Sequence, residues 1–175
     1  MSPALADLVN AKELAGRTAS IERSLDLRQL PRVVEAGALK GTQVHARLRF
    51  AFFEGRTTVE VQLEGVAVLM CQRCLKSCET RLEEAEQVMV MANDTDEVAG
   101  GYEPFIGDAE NLSLSALIEE QVLLGLPLVP LHDDPAQCRK SASGKLVAKV
   151  EAEAHPEDTQ KPFANLRDLL DRNEH

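Results

Sequence analysis

Two neighbouring stretches of the sequence alternate between apolar and polar residues, and this pattern constrains the fold more than any other feature. Residues 44–53 place apolar side chains at every second position, and residues 57–64 do the same. Period-two alternation is typical of β-strands that pack one face on a core. Between the two stretches lies Gly55, which can adopt the positive φ of a tight turn. The pattern predicts a β-hairpin.

Further strands are predicted on both sides of a short turn that contains cysteine. Residues 66–70 are apolar on both faces and run directly into Cys71, and a third strand is predicted over about 80–92. Gly65 interrupts the alternation, which predicts a bulge or a bend. Residues 93–111 are acidic and contain three glycines and a proline, which predicts a loop.

One stretch has a clear helical period. Between residues 113 and 125, apolar side chains recur at spacings of three and four, and Asn111 or Ser113 can cap the first turn. Pro127 then ends the helix. The pattern predicts an amphipathic helix that lies on the sheet, with residues 119–121 facing solvent.

Together these elements predict the α+β class: an antiparallel β-sheet or partly closed barrel packed by one main amphipathic helix. Residues 1–135 are expected to form a single domain, in which residues 1–40 are a loop with short strands and Pro31 breaks any helix. Residues 136–175 are expected to be a flexible, loosely ordered tail. Apolar residues at helical spacing within it could form a short docking helix over 163–171.

The cysteines are the candidates for chemistry. Cys71 and Cys74 form a C-x-x-C unit where one strand ends and another follows, which is how one half of a zinc ribbon presents two thiolates. A complete tetrahedral site needs a second pair of ligands. The candidates are His132 and Cys138, which follow the helix, or Cys78. Zn²⁺ is therefore the cofactor that the spacing indicates.

Two other interpretations of the cysteines remain open. A thioredoxin-like redox pair needs its C-x-x-C at the N-terminus of a helix within a βαβ unit, because the helix end lowers the pKa of the first thiol. Here both flanks have the pattern of strands, although Arg73 could stabilise a thiolate. Alternatively, the cysteines are small buried residues or the remnant of an ancestral site.

The sequence lacks the motifs of the common catalytic classes. It contains no G-x-S-x-G, no glycine-rich phosphate loop and no H-E-x-x-H. Glu119 and Glu120 are adjacent on the predicted helix, so their carboxylates do not converge on one point. The chain is therefore expected not to be an enzyme.

The chain is strongly acidic, with 19 Lys and Arg against 29 Asp and Glu, and aromatic residues make up only 3% of it. This composition argues against autonomous nucleic-acid binding, which depends on basic contacts to phosphates and on aromatic stacking. The charge is also uneven. Residues 1–56 carry nine basic and six acidic residues, and residues 57–175 carry ten and twenty-three. The first 56 residues could therefore bind an anionic partner, and the rest of the chain a cationic one.

The pattern of hydrophobicity indicates where the protein resides. The apolar runs at 66–71 and 122–131 are far shorter than the roughly 20 residues of a membrane-spanning helix. The first residues lack the basic and apolar regions of a signal peptide. A cytoplasmic location is therefore expected, where thiols stay reduced and structural disulfides are rare.

Four segments carry a resemblance to a known family. They are V-A-V-L-M-C-Q-R-C at 66–74, the helix that ends in L-G-L-P-L-V-P-L-H at 124–132, Cys138, and K-P-F-A-N-L at 161–166. In this order they resemble the YceD family, the large ribosomal RNA subunit accumulation proteins of bacteria and plastids. The resemblance covers nearly the whole chain and is weakest before residue 40.

The resemblance implies a non-catalytic factor needed for the synthesis, processing or stability of 23S ribosomal RNA, with a link to large-subunit assembly. Many relatives carry additional cysteines after the L-P-L-x-P helix that look like a complete zinc site. This sequence departs from that pattern, since His132 stands at the first of those positions and only Cys138 follows nearby. Cys71 and Cys74 with these two residues still provide four possible ligands.

Composition leaves two routes by which such a factor could act. It could shield or deliver a basic large-subunit ribosomal protein, using the acidic start of the third strand and the 94–110 segment. Alternatively, it could contact ribosomal RNA through basic residues, and the candidates are Arg17, Arg23, Arg28, Arg32, Arg47, Arg49 and Arg73. The first route is favoured because of the net charge of −10.

The polar faces of the predicted hairpin offer a simpler role for some of these arginines. Arg47 and Arg49 lie on one strand and Glu60 and Glu64 on the other, so cross-strand ion pairs are expected within the sheet. An exposed edge of the same hairpin could also pair with a second copy of the chain, which would make a homodimer.

Overall fold

The computed structural model describes residues 7–93, 98 and 100–139. The chain divides into two compact units, Met1–Asp133 and Asp134–His175. The predicted docking helix over 163–171 and most of the predicted tail lie outside the described residues. The boundary at residue 135 and the flexibility of the tail therefore stay predictions.

The predicted hairpin forms the centre of the first unit. Strand β3, Gln43–Phe53, pairs with strand β4, Arg56–Met70, in antiparallel register from Phe53 opposite Arg56 to Gln43 opposite Val66. The two turn residues, Glu54 and Gly55, both have positive φ, of 50° and 78°. Positive φ at both central positions is the geometry of a type I′ turn, which matches the twist of the flanking strands.

The hairpin lies inside a five-stranded sheet with the order β2-β3-β4-β5-β6. Strand β2 spans Ser20–Asp26, β5 spans Ser77–Met91 and β6 spans Glu103–Ile106. The first four strands are antiparallel to their neighbours, and β6 is parallel to β5. The sheet is therefore mixed and open, with β2 and β6 as its edges in the described part of the chain, and it does not close into a barrel.

Two expectations are corrected by this topology. The hairpin has no free edge, because β2 covers β3 and β5 covers β4, so the predicted basis for a homodimer does not hold. Part of the segment 93–111 is also a strand and not a loop. Residues 103–106 pair with Val88–Met91 despite Pro104, which an edge strand tolerates because one side of its backbone makes no ladder bonds.

The long pair β4–β5 runs without interruption to the cysteine turn. Its register extends from Thr58 opposite Met89 to Met70 opposite Ser77. Gly65 lies opposite Val44 on one side and Leu82 on the other, with no extra residue, so it forms no bulge. Glycine is instead needed here because the backbone of β3 lies very close to Gly65. A Cβ atom at this position would lie 2.3 Å from the carbonyl oxygen of Gln43.

Residues 7–40 are more ordered than the sequence predicts. They form strand β1 (Leu8–Val9), helix α1 (Ala11–Gly16), β2, a 3₁₀ turn (Leu27–Gln29) and helix α2 (Pro31–Glu35). Pro31 does not break a helix but begins one. This is the first helical position, where a missing N–H costs nothing and a fixed φ suits the helix.

The predicted helix is present as α3, Leu114–Gly125, and Ser113 caps it by accepting a hydrogen bond from the N–H of Ala116. The two-residue strand β7, Leu112–Ser113, precedes it and pairs with β1. The helix is not cleanly amphipathic, because Glu119 and Gln121, expected to face solvent, are buried, whereas Leu124 is 65% exposed. The aliphatic core includes Leu117 and Ile118 of this helix and Leu48 and Leu63 of the sheet, all nearly inaccessible.

Glu119 is buried because it caps another helix. Its Oε1 accepts hydrogen bonds from the backbone N–H groups of Arg32 (2.6 Å) and Val33 (3.3 Å), in the first turn of α2. The N-cap residue of α2, Leu30, has no side-chain oxygen to do so. A carboxylate at a helix N-terminus also interacts favourably with the helix dipole.

In the second unit, the described residues form helix α4, Pro135–Arg139. Its start is capped by Asp134, whose Oδ1 accepts a hydrogen bond from the N–H of Ala136 at 2.8 Å. Across the described parts of both units, no helix combines the length and the apolar character needed to cross a membrane.

Candidate functional site

A tight turn between β4 and β5 carries the C-x-x-C unit. The N–H of Cys71 donates to the carbonyl of Lys76 (2.8 Å), and the N–H of Leu75 donates to the carbonyl of Cys71 (2.9 Å). Leu75 adopts a φ of 57°, which is unusual for a residue with a side chain. These bonds fold the turn back on itself, so that Cys71 and Cys74 lie together, both buried.

A second segment brings His132 to this turn. The N–H of Gln72 donates to the carbonyl of Pro130 at 2.9 Å, which fastens the segment after α3 to the cysteine turn. Nδ1 of His132 lies 3.5 Å from Sγ of Cys74, and Nε2 lies 3.1 Å from the carbonyl oxygen of Ser77. Because a carbonyl only accepts, Nε2 carries the proton in that bond, and Nδ1 faces the thiols.

The geometry of these residues suits a tetrahedral metal ion. The two Sγ atoms and a ring nitrogen of His132 lie within 4.8 Å of one another. Ligands of a tetrahedral Zn²⁺ at about 2.3 Å lie roughly 3.8 Å apart, so small side-chain movements would close the set around an ion. The bond from Nε2 to a backbone carbonyl is the arrangement by which proteins orient a histidine ligand.

The surroundings of Cys71 favour a thiolate. Burial would raise its pKa, but hydrogen bonds from the backbone N–H groups of His132, Arg73 and Cys74, and from the His132 side chain, lower the pKa of Cys71 to about 6. A thiolate near neutral pH is the form that binds a metal or attacks an electrophile.

Cys78 has the opposite character. Burial raises the pKa of Cys78, and negative charge at Cys71, Cys74 and Asp133 adds to the effect. Its thiol is buried at the start of β5 and is not among the side chains grouped around His132. In the first unit, the structure therefore groups His132, and not Cys78, with Cys71 and Cys74.

Cys138, the remaining predicted ligand, lies on α4. It is 2% exposed, whereas the three residues before it on that short helix are exposed. The four cysteines of the chain are all free thiols.

The redox interpretation of the C-x-x-C requires a helix directly after it. Residues 71–91 form a turn and a strand, so they provide no helix dipole to activate a thioredoxin-like pair.

The arginines predicted to contact a partner do not form one basic face. Four of them make ion pairs within the first unit: Arg28 with Asp26, Arg32 with Glu120, Arg47 with Glu22, and Arg49 with Glu60. The expected cross-strand pair of Arg49 is thus present, whereas Arg47 pairs with β2 and not with β4.

The other three arginines lie in three different parts of the first unit. Arg23 donates to the carbonyl of Glu22 at 3.0 Å and is half-buried. Arg73 lies half-buried in the cysteine turn. Arg17 is exposed at the end of α1, and no acidic side chain in the described part of the chain pairs with it.

Comparison with known proteins gives a consistent result. A family model described as "Large ribosomal RNA subunit accumulation protein YceD" matches residues 59–170, more than half of the chain. A protein of that name from Haemophilus influenzae is 28% identical over 127 residues, which cover 69% of this chain. The match spans 66% of the length of that relative, slightly under two thirds. No solved structure matches the chain.

Proposed function

The chain belongs to the YceD family of large ribosomal RNA subunit accumulation proteins, and we propose from this that it acts without turnover to support the accumulation of 23S ribosomal RNA. The observation that carries the proposal is the family match over residues 59–170, which includes β4, β5, the cysteine turn and α3. Large-subunit assembly in the cytoplasm is the setting in which such a factor would act.

The partner we propose is a basic large-subunit ribosomal protein. Residues 57–175 hold twenty-three acidic and ten basic residues, which favours a cationic partner. The ion pairs of Arg28, Arg32, Arg47 and Arg49 argue against the direct RNA route, because a cation already paired within the protein releases little additional free energy on meeting a phosphate.

A deletion strain tests the function. Loss of the gene is expected to lower the ratio of 23S to 16S ribosomal RNA, and the full-length chain expressed in trans is expected to restore it. The measurement is RNA quantification together with sucrose-gradient profiles of the subunits. An unchanged ratio in the deletion strain, at several growth temperatures, would contradict the proposal.

We also propose that the cysteine turn is a structural zinc site, with Cys71, Cys74, His132 and Cys138 as ligands. In the first unit, the buried thiols of Cys71 and Cys74 are grouped with a ring nitrogen of His132, and the sequence offers Cys138 as the fourth ligand. Sulfur and imidazole donors suit Zn²⁺, and a bound ion would neutralise the thiolate charge and hold the turn in place. A redox role for Cys71 and Cys74 is the alternative.

Metal analysis with matched variants separates these roles. The purified wild-type protein is expected to carry about one zinc per chain by mass spectrometry. The double variant Cys71→Ser, Cys74→Ser is expected to lose the zinc and to melt at a lower temperature, whereas Cys78→Ser, the matched control, keeps the zinc. Metal-free wild-type protein that is fully stable and cycles between thiols and a Cys71–Cys74 disulfide would instead support redox chemistry.

A further inference from the structure

An apolar groove lies where the last turn of α3 meets the cysteine turn. Its volume is about 330 Å³, and the side chains that line it are apolar except for that of Gln72. Leu123, Leu126 and Leu128 line it from the end of α3 and the segment after it, and Leu69 and Met70 line it from the end of β4. This groove faces solvent and belongs wholly to the first unit.

The side chains around the groove are unusually exposed for their size. Leu128 is 100% exposed, Leu124 is 65%, Val129 is 59% and Met70 is 45%. The segment cannot easily withdraw them, because prolines at 127 and 130 stiffen it and the bond from Gln72 to Pro130 fastens it. Contiguous apolar surface that is held outward in this way marks a surface for a partner.

An acidic cavity is lined by other residues of the same last turn of α3. Its volume is about 240 Å³, and Glu84, Glu86 and Glu103 line it together with Leu124 and Gly125. Within the described parts of the first unit, none of these three carboxylates has a cationic partner. Three acids without an ion pair in this part of the structure therefore lie beside the exposed Leu124.

We propose that residues 123–131 and this acidic cavity form one docking surface for a basic protein segment, which inserts apolar side chains into the groove and places Lys or Arg beside the three glutamates. The proposal rests on the proposed function and adds to it the surface and the chemistry of the segment that binds. Charge complementarity selects this occupant.

The same charges disfavour other occupants. A second copy of the chain seated on this surface would bring two sets of the three glutamates together, and like charges in an interface oppose binding. RNA and anionic lipid headgroups would place their phosphates beside the same acids. A cationic segment with apolar anchors satisfies both the groove and the cavity.

Site-specific cross-linking tests the surface on the full-length chain. The probe is the protein fraction extracted from salt-washed large ribosomal subunits, and the chain carries p-benzoylphenylalanine in place of Leu128. The expected product is a cross-link to a ribosomal protein, within a peptide that has apolar residues flanked by Lys or Arg. Cross-links to a second copy, to RNA or to nothing would overturn the proposal.

The affinity of variants for the cross-linked ribosomal protein then measures the contributions of the groove and of the acidic cavity separately. Leu128→Gln is expected to weaken binding at least tenfold, and the triple variant Glu84→Gln, Glu86→Gln, Glu103→Gln is expected to weaken it and flatten its dependence on salt. The matched controls are Leu8→Gln and Glu79→Gln, which change an exposed leucine and an exposed glutamate elsewhere. Groove and cavity variants that bind as tightly as these controls would overturn the proposal.

The docking surface and the proposed function fail in different ways. If deletion lowers 23S RNA but Leu128→Gln and the triple variant both restore it fully, the docking surface is wrong and the function stands. If deletion leaves 23S RNA unchanged, the proposed function is wrong, and the cross-link at position 128 still decides whether the surface binds a basic protein.

Discussion

At the scale of single residues, two buried thiols close in sequence have pKa values shifted in opposite directions. N–H donors stabilise the thiolate of Cys71 and lower its pKa to about 6, whereas burial and neighbouring negative charge raise the pKa of Cys78. The spacing C-x-x-C is visible in the sequence, but this difference is not. It depends on His132, which is remote in sequence and reaches the turn through the bond between Gln72 and Pro130.

The thiols are expected to titrate separately in the metal-free protein. Ultraviolet absorbance of the thiolate should rise in a first step near pH 6, Cys71→Ser should remove that step, and Cys78→Ser should leave it. A folded pKa of about 6 lies below the ordinary value of 9.0, so this group stabilises the fold above pH 9 and loses that contribution as pH falls to 6. A first step above pH 8 in the wild-type protein would contradict the expected pKa.

Gly65 is a second residue whose role only the structure reveals. The sequence predicts a bulge or bend, whereas the register is continuous and a Cβ atom would meet the carbonyl oxygen of Gln43 at 2.3 Å and Cα of Val44 at 3.1 Å. Because both neighbours are backbone atoms of a central strand, Gly65→Ala should destabilise the fold by about 1–3 kcal/mol. Urea unfolding measures this.

The control for Gly65 is another glycine without close neighbours. Gly16 ends α1, and no atom lies within 4 Å of a Cβ built there. Gly16→Ala should unfold at the same urea concentration as the wild type or slightly higher, since Ala favours helix. If Gly65→Ala and Gly16→Ala had the same free energy of unfolding, the backbone around Gly65 would accommodate a Cβ atom without cost, which contradicts the prediction.

At the scale of elements, the cap of α2 by Glu119 joins two helices that are far apart in sequence. Glu119→Ala leaves the part-buried N–H of Arg32 and the buried N–H of Val33 without an acceptor, so the free energy of unfolding should fall by about 2–3 kcal/mol. Glu119→Gln keeps an acceptor oxygen and should cost about 1 kcal/mol. Denaturant unfolding measures both variants.

The neighbouring acid provides the control. Glu120 pairs with the same arginine, at 2.6 Å from Nη1 of Arg32, but its side chain is 39% exposed. An exposed ion pair contributes about 0–1 kcal/mol, so Glu120→Ala should be nearly neutral. If Glu119→Ala and Glu120→Ala had the same free energy of unfolding, the cap by Glu119 would stabilise the fold no more than an exposed ion pair does.

Elements with local signals are predicted from the sequence, and elements that depend on distant partners are not. The hairpin β3–β4 and helix α3 follow from hydrophobic period and turn or cap residues within each segment. Helix α2 has only five residues and a cap supplied by α3, and β6 has four residues and a proline beside the edge of β5. Their formation depends on tertiary contacts, which a single sequence does not display.

At the scale of the molecule, the net charge of −10 and the paired arginines together predict weak binding to RNA. The full-length protein should bind a 23S RNA fragment with a Kd weaker than roughly 10 μM at physiological salt, since few cations are available to displace counterions. Arg47→Met with Arg49→Met should change this little, because Glu22 and Glu60 already neutralise both side chains. Filter binding over a range of salt concentrations measures the affinity.

The outcome of that measurement decides between the two routes that composition leaves open. Arg17 is the matched comparison, because it is exposed and has no acidic partner in the described residues. One outcome would support the RNA route: the wild type binds RNA tightly with a steep salt dependence, and the triple variant Arg17→Met, Arg47→Met, Arg49→Met abolishes that binding. These arginines would then form an RNA-binding surface despite the net charge. If the wild type and every variant bind RNA weakly, the effect on ribosomal RNA is instead mediated by a protein partner. Function then depends on the acidic and apolar docking surface beside α3.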